Sequence, residues 1–486
     1  MTTSQRQPEL EAPIFEKSGS GRAGYHPGEG IEPPLDVSLL RDDLDGFPEL
    51  SEPEVLRHYT RLSSLNFSAV THFYPLGSCT MKYNPIVNER AAALPGFSGI
   101  HPYAPVETVQ GALDLVCELE RWLAEISGLD AVSLQPAAGA QGELTGIKII
   151  RRWHLARGNA RSKILIPESA HGTNPASAAL SGYDAVVIPT DERGLMSADS
   201  VKALLDDEVA ALMVTNPSTL GLFEVEIEEI AKAVHDVGAL VYMDGANMNA
   251  LMGKAKPGDM GADVLQFNLH KTFSTPHGGG GPGAGPVAVR ADLEKYLPGP
   301  RVAEKDGALY WDADRPDSIG KVRSFYGNFG ILVRAYTYML ACGGDGLTEI
   351  TEKAVLAANY IRARLIDRYH LPYDTPSLHE VVLTDKVQNA HGIKTLDVAK
   401  RLLDYGFHAP TIYFPLVVSG AIMIEPTESE SVETLDAFVD AMLRIADEAE
   451  NDPQRLREAP ETTPLARLDE TRAARHPVLT WKKAKD

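Results

Sequence analysis

The chain has 486 residues, of which 44% are hydrophobic and 23% charged, as expected for a soluble globular protein with two or three domains. Acidic side chains outnumber basic ones 67 to 46, and the formal net charge of -21 argues against nucleic acid or an anionic membrane surface as the main partner. Three widely spaced cysteines, a polar N-terminus and the lack of a long apolar stretch exclude a metal-binding cysteine motif, a signal peptide and a membrane span, and they predict a cytoplasmic protein.

The first 110 residues are predicted to form an N-terminal arm followed by a segment that contributes to a site. Residues 1 to about 60 are rich in proline, glycine and charge, which is typical of either an arm around a partner subunit or a loosely ordered tail. Residues 19–24 match the pattern GxGxxG, but no strand precedes them, so the match carries little weight. Residues 75–85 are small, polar and bounded by prolines, which predicts an irregular loop.

Residues 111–325 are predicted to form a large α/β domain. Seven short apolar runs recur at 131–135, 163–166, 185–188, 211–214, 239–243, 264–267 and 286–289. Such runs are typical of strands that are buried on both faces. Amphipathic segments at 141–157, 197–207 and 225–237 lie between them and favour helices. This alternation predicts a seven-stranded, mostly parallel sheet, with ligands bound at the carboxyl ends of its strands.

Residues 326–486 are predicted to form a smaller C-terminal α+β domain with a charged tail. A long helix is expected near 329–370, strands near 379–384 and 421–425, and a final helix near 431–448. The sequence of residues 427–430 fits a capping box at the start of this last helix.

A lysine and an aspartate follow two consecutive predicted strands. Asp244 follows one apolar run, and Lys271 comes shortly after the next, beside His270 and before the glycines at 278–281. Pyridoxal phosphate (PLP) enzymes need this pair, because the lysine forms the Schiff base and the aspartate keeps the pyridine nitrogen protonated. The glycine run is either a flexible linker or a segment that approaches the cofactor or a neighbouring subunit. Ala246 is small enough to let the cofactor approach.

Three other strand ends carry candidate site residues. Ala138, Gly139 and Ala140 open a helix whose bare backbone N–H groups suit a phosphate, although a tight turn also favours small residues. His171 could stack on a flat ring or carry protons, or it could be a loop histidine bonded to the backbone. Thr215 could reach the cofactor or substrate, or it could belong to a plain Asn-Pro turn.

Several of these segments together resemble the PLP-dependent P-proteins of the glycine cleavage system, in particular subunit 2 of the two-subunit bacterial form of glycine dehydrogenase (decarboxylating). The resemblance rests on residues 75–85, 171–175, 268–283, 407–411 and 425–430, and it runs over nearly the whole chain. It implies PLP-dependent transferase fold type I, which is aspartate aminotransferase-like. It also implies Lys271 as the Schiff-base lysine, Asp244 under the pyridine nitrogen, His171 against the ring and residues 138–140 at the phosphate. The family often has a hydroxyl residue where this chain has Ala138, so the phosphate would depend more on backbone groups.

The resemblance also implies a reaction and partners. Glycine would be decarboxylated, and its aminomethyl group would pass to the lipoyl arm of a small carrier, the H-protein. A separate subunit 1 is implied, with two copies of each subunit. The alternative is another fold type I PLP enzyme, such as an aminotransferase or a lyase. Many aminotransferases hold the α-carboxylate with an arginine of the small domain, and residues 407–425 contain none, although Arg323 could supply one from elsewhere.

Overall fold

The computed structural model describes residues 10–25, 35–41, 46–278 and 283–481. These residues fall into two compact units, one formed by residues 73–457 and the other by 1–72 together with 458–486. Most of the predicted glycine run at 278–281 lies outside the described residues. The predicted domain boundaries near 110 and 325 stay predictions. Within the described ranges, we find no helix that is both long and apolar enough to cross a membrane.

The fourteen α-helices of the described residues are short, apart from four that reach 18 residues or more. In chain order they are α1 (Glu52–Ser63), α2 (Ile86–Ala92), α3 (Pro95–Ser98), α4 (Gln110–Ser127), α5 (Gly139–Ala156), α6 (Thr173–Leu180), α7 (Ala198–Lys202), α8 (Ile227–Asp236), α9 (Phe329–Leu365), α10 (Lys386–Asn389), α11 (Thr395–Asp404), α12 (Val432–Asn451), α13 (Pro453–Glu458) and α14 (Glu470–Arg475).

A seven-stranded sheet forms the centre of the larger unit and confirms the predicted α/β architecture. Its strands are β1 (Ala131–Ser133), β2 (Lys163–Pro167), β3 (Asp184–Ile188), β4 (Val209–Thr215), β5 (Leu240–Gly245), β6 (Val264–Phe267) and β7 (Val287–Val289), in the order β1-β7-β6-β5-β4-β2-β3. Strands β2 to β6 pair in parallel, and β7 runs antiparallel to both β6 and β1. The carboxyl ends of β1, β2, β4, β5 and β6 therefore meet at one edge of the sheet.

Burial within the sheet follows strand position. Every residue of the central strands β4 and β5 is buried, as their continuous apolar runs predict. The prediction that all seven strands are buried on both faces is wrong for β3, where Val187 is 60% exposed. Strand β3 lies at the edge of the sheet, so fewer elements cover its side chains.

A smaller antiparallel sheet follows the long helix α9. It contains β10 (Val381–Thr384), β11 (Thr411–Ile412) and β12 (Ala421–Ile424), with β12 between the other two. Strands β10 and β12 fall where the sequence predicts strands. A two-stranded hairpin, β8 (Arg301–Lys305) with β9 (Ala308–Asp312), was not predicted. Helix α9 is kinked at Gly343, whose φ of 63° lies outside the helical region.

The predicted capping box at residues 427–430 is wrong. Helix α12 begins at Val432, and its N-cap is Ser431, whose side chain accepts a hydrogen bond from the backbone N–H of Thr434. Thr427 instead lies in a turn with a positive φ of 64°, and its hydroxyl contacts Ser429. A four-residue pattern is short enough to occur by chance beside a true cap.

The smaller unit joins segments from both ends of the chain. Phe15 stacks on Trp481, with ring centroids 5.0 Å apart. Arg61 of α1 donates to both carboxylate oxygens of Glu11, at 3.0 Å each. The predicted arm therefore contains a regular helix and local packing of its own.

Candidate active site

A cavity of about 420 Å³ opens at the carboxyl ends of the large sheet, within the volume range of small-molecule sites. All nine candidate residues from the sequence line it: Ala138, Gly139, Ala140, His171, Thr215, Asp244, Ala246, His270 and Lys271. Chain folding thus brings together five strand ends that span more than 130 residues of sequence. The roles of these residues toward a cofactor remain predictions.

Asp244 lies in β5, and Lys271 lies in the segment that follows β6, the parallel neighbour of β5. Asp244 pairs in register with Gln266 of β6, and Lys271 follows the end of that strand. The Asp244 carboxylate accepts hydrogen bonds from Gln266 Nε2 at 2.5 Å, from the Ala246 backbone N–H at 2.9 Å and from Asn174 Nδ2 at 3.2 Å. These three groups can only donate, so they stabilise the ionised carboxylate. A buried anion in this position suits a protonated pyridine nitrogen.

The start of helix α5 is packed tightly against the segments on both sides of Lys271. A Cβ on Gly139 would lie 2.1 Å from Asn268 Oδ1, and a Cβ on Gly285 would lie 2.0 Å from the Ala138 carbonyl oxygen. Both distances are far below van der Waals contact. A side chain at position 139 would displace the Asn268 side chain, whereas one at position 285 would meet only backbone atoms, so only glycine fits at 285. Ala138 is extended, with φ of -160°, and acts as the N-cap without a side-chain hydrogen bond. The N-terminus of this 18-residue helix therefore presents backbone N–H groups to the cavity.

His171 lies at the mouth of the cavity, and its ring meets the edge of Phe414 with centroids 5.7 Å apart. Its Nδ1 is 2.8 Å from Thr173 Oγ1, which in turn is 2.8 Å from Glu143 Oε1. Desolvation of the imidazole by the surrounding protein lowers the pKa of His171, and the positive charge of Lys271 lowers it further. The imidazole is therefore neutral at neutral pH and has one donor and one acceptor nitrogen.

The polar lining of the cavity fits PLP. Thr215 Oγ1, Asn268 Oδ1 and His270 Nδ1 are buried without a hydrogen-bond partner among the described residues, and all three residues line the cavity. Buried polar atoms are costly when unpaired, which indicates that a polar ligand belongs there. Burial lowers the pKa of His270 to about 3, so its ring is neutral. Among described residues, Lys271 Nζ makes no side-chain hydrogen bond, which leaves the amine available.

The loop at residues 77–80 forms one wall of the cavity. The sequence predicted that this part of the chain contributes to a site but gave no role to its individual residues. Ser78 and Thr80 both have positive φ, 55° and 45°, and Cys79 between them lines the cavity. The carboxylate of Glu380 accepts from the Ser78 backbone N–H at 2.6 Å and from its hydroxyl at 2.9 Å. Glu425 accepts from the Thr80 backbone N–H at 2.9 Å and from its hydroxyl at 2.5 Å. Two buried acids thus hold a backbone conformation that is otherwise unfavourable.

The charge states around this loop follow from burial. Burial raises the pKa of Glu425 to about 7, and burial together with the neighbouring Glu425 raises the pKa of Glu380 well above its usual value. Burial also raises the pKa of the Cys79 thiol, which makes it a poor nucleophile. The sequence signals for these contacts are two charged side chains at the ends of apolar strands, since Glu380 directly precedes β10 and Glu425 directly follows β12.

Arg323 is not among the described residues that line the cavity. Its guanidinium donates to Asn328, and Asn328 Nδ2 donates to the carbonyl oxygens of Ala137 at 3.0 Å and Gly283 at 2.6 Å. Arg323 therefore supports the segments beside the start of α5.

Two family models match the chain. The model of the glycine cleavage system P-protein matches residues 33–307, and the model of the glycine dehydrogenase C-terminal domain matches residues 350–465. Similar full-length relatives are proteins named "Probable glycine dehydrogenase (decarboxylating) subunit 2". The one from Caldanaerobacter subterraneus is 55% identical over 98% of this chain and 99% of its own length, and the one from Bacillus licheniformis is 55% identical over 97% and 98%.

Comparison with solved structures identifies the fold. The chain resembles the glycine decarboxylase (P-protein) of the glycine cleavage system in inhibitor-bound form, with a TM-score of 0.70 and 23% identity over 86% of this chain and 93% of that one. It also resembles a cysteine desulfurase from Escherichia coli, with a TM-score of 0.60 and 15% identity over 77% and 95%. These likenesses confirm the predicted fold type I with a smaller C-terminal domain. By its family match over more than half its length and its full-length relatives, the chain belongs to the glycine cleavage system P-protein family.

Proposed function

We propose that this chain binds PLP and decarboxylates glycine, passing the remaining aminomethyl group to the lipoyl arm of the H-protein. The observation that carries the proposal is the pair Lys271 and Asp244 on neighbouring strand ends of a P-protein family member. The names of its relatives, which refer to glycine dehydrogenase and to decarboxylation, support the same reaction.

Different cavity residues would bind different parts of the cofactor. Lys271 would bind PLP covalently, and Asp244 would accept a hydrogen bond from the pyridine nitrogen. The backbone N–H groups at 138–140 would hold the phosphate, with His171 against the ring. When bound, PLP supplies an electron sink for the bond that breaks at the substrate α-carbon.

The charge pattern of the cavity favours loss of CO2 over transamination. An arginine that clamps the substrate carboxylate in the plane of the cofactor ring favours loss of a proton. The described residues that line the cavity include no arginine. Its hydrogen-bond donors near His171 and Thr411 are neutral side chains. A weakly held carboxylate can stand perpendicular to the ring, which aligns the bond that must break for decarboxylation.

The relatives are named as a second subunit, and this supports a partner. We propose a subunit 1, with two copies of each subunit in a cytoplasmic complex, and the lipoylated H-protein as the transient acceptor of the aminomethyl group.

The function is tested by adding components one at a time. Glycine-dependent CO2 release should require this chain, PLP, subunit 1 and lipoylated H-protein together. The Lys271→Ala variant should lose the visible absorption band of lysine-bound PLP, while an exposed-lysine control, Lys232→Ala on α8, should keep it. Full glycine–bicarbonate exchange by this chain alone would refute the need for subunit 1. Amino-group transfer from glycine to a keto acid, without CO2 release, would favour the aminotransferase alternative.

A further inference from the structure

The hydroxyl of Thr173 lies between a histidine at the cavity mouth and a buried acid that the reaction does not use. Thr173 Oγ1 is 2.8 Å from His171 Nδ1 and 2.8 Å from Glu143 Oε1. The other oxygen of Glu143, Oε2, accepts from Asn174 Nδ2 at 2.9 Å. Glu143 is only 4% exposed, and it lines the cavity one helical turn after the start of α5.

Hydrogen-bond geometry limits where the protons can be in this chain of groups. The backbone N–H of Thr173 donates to His171 Nδ1 at 3.3 Å, so Nδ1 is an acceptor. A neutral ring with an acceptor at Nδ1 has its proton on Nε2. The Thr173 hydroxyl has one proton, which can go to Nδ1 or to Glu143 but not to both. An ionised Glu143 would accept that proton, whereas a protonated Glu143 donates to Thr173 Oγ1 and leaves the hydroxyl proton for Nδ1.

We propose that Glu143 carries a proton and, through Thr173, fixes His171 in the tautomer with its proton on Nε2. Glu143 is then a positioning residue, since it acts on the reaction only through His171. Nε2 becomes a neutral N–H donor at the cavity mouth. In the proposed function, on which this step rests, such a donor can bind the carboxylate of an amino acid without clamping it as an arginine would.

The surroundings of Glu143 support a protonated acid. The ionisable groups that face it are Asp244 and Tyr242 on β5, Lys271 after β6, and His171 before α6. Burial, and secondly the charge of Asp244, raise the pKa of Glu143 to about 7, whereas Lys271 acts in the opposite direction. Asn174 Nδ2 also donates to Asp244 at 3.2 Å, so one amide group separates the two acids. Two adjacent buried carboxyl groups are more stable when only one of them is ionised.

The test uses variants that separate the proton from the shape of the side chain. Glu143→Gln keeps a donor toward Thr173 and an acceptor toward Asn174, so it imitates the protonated acid. Thr173→Val removes the relay and keeps the volume, and Thr173→Ser restores the hydroxyl. Glu229→Gln, an exposed position on α8, controls for loss of a carboxylate elsewhere.

Three measurements on the full chain with PLP at pH 6.5 give the outcome. An infrared difference between the wild-type protein and Glu143→Gln should contain the band of a protonated carboxylic acid. Nitrogen-15 NMR of labelled histidine, with His171 assigned by substitution, should show Nε2–H in the wild-type protein and in Glu143→Gln, and a mixture of tautomers in Thr173→Val. With partners present, Thr173→Val should lower the rate of CO2 release on the order of tenfold at unchanged PLP content, and Glu143→Gln and Thr173→Ser should stay near the wild-type rate.

Raising the pH gives a second signature. Above about pH 7, wild-type Glu143 loses its proton, and the tautomer of His171 should become mixed, whereas Glu143→Gln should keep Nε2–H. The proposal is overturned by a missing acid band, by Nδ1–H in the wild-type protein at pH 6.5, or by a Glu143→Gln variant that behaves like Thr173→Val. The infrared and NMR results need no glycine. If they agree with expectation but no CO2 is released with all partners present, the proposed function fails and the inference on Glu143 stands.

Discussion

Gly285 is the position where a single methyl group should damage the phosphate cradle that we propose at residues 138–140, the start of α5. A Cβ there would lie 2.0 Å from the Ala138 carbonyl oxygen, 2.4 Å from the Ala138 carbonyl carbon and 2.9 Å from the Gly139 nitrogen. All three neighbours are backbone atoms, so no side-chain rotation can relieve the clash. Gly285 is also tied by a hydrogen bond from its N–H to the Pro136 carbonyl oxygen at 3.0 Å. The start of α5 must therefore move by about 1 Å or more.

This movement should lower both the stability of the fold and the affinity for PLP. Overpacking of this kind destabilises a fold by about 1 to 3 kcal/mol. Because the segment that moves supplies the proposed phosphate site, we expect Gly285→Ala to weaken PLP binding by on the order of tenfold or more, at about 1.4 kcal/mol per factor of ten. The assay is a PLP titration followed by visible absorption, with thermal unfolding measured in parallel.

Gly111→Ala is the matched control for this substitution. A Cβ at Gly111 meets no atom within 4 Å, and the residue lies in helix α4, so the variant should bind PLP as the wild-type protein does and should be equally or slightly more stable. If Gly285→Ala folds normally and binds PLP with wild-type affinity, the cradle does not depend on close backbone packing, and the reasoning is refuted.

Three further predictions concern buried acids and their partners. Asp244→Asn places an amide N–H2 against N–H donors and removes a charge, so we expect CO2 release to fall at least about tenfold while thermal stability changes less. Burial raises the pKa of Glu224 to about 8, so the folded state binds a proton that the unfolded state releases above about pH 4.5; stability should fall as pH rises from about 4.5 to about 8, and Glu224→Gln should flatten this slope in thermal unfolding curves. Ser78→Ala removes one donor to Glu380 and should cost about 1 kcal/mol in chemical denaturation, whereas an unchanged midpoint would mean that the backbone N–H alone holds the loop.

The large sheet could be predicted because each strand contains a nearly continuous apolar run. β-Branched and aliphatic side chains that are buried on both faces leave a pattern that needs no knowledge of partners. The order of the strands does not leave such a pattern. Strand β3 resembles its neighbours in sequence, yet it lies at the edge, where Val187 is exposed. The hairpin β8–β9 was missed for a related reason, since its strands are only partly buried and carry mixed polar and apolar residues.

Some residues of the site could likewise be predicted from the sequence, and others could not. Residues such as Asp244 and Lys271 could be found because they directly follow predicted strands, and parallel strands place their carboxyl ends together. The contacts of Glu380 and Glu425 with the loop at 77–80 could not be predicted. Ser78 and Glu380 are 302 residues apart, and Thr80 and Glu425 are 345 apart. Contacts between such distant positions depend on how the small sheet packs, which local sequence patterns do not encode.

The two buried acids nearest the start of α5 show how environment gives similar side chains different roles. Asp244 is surrounded by three N–H groups that can only donate, so both of its carboxylate oxygens accept hydrogen bonds. In the arrangement we propose, Glu143 donates to the Thr173 hydroxyl, whose own proton goes to His171. Asn174 joins the two by donating to both. One acid is thereby kept as the anion that a pyridine nitrogen needs, and the other is kept as a neutral donor, although both lie in the same low-dielectric cavity wall.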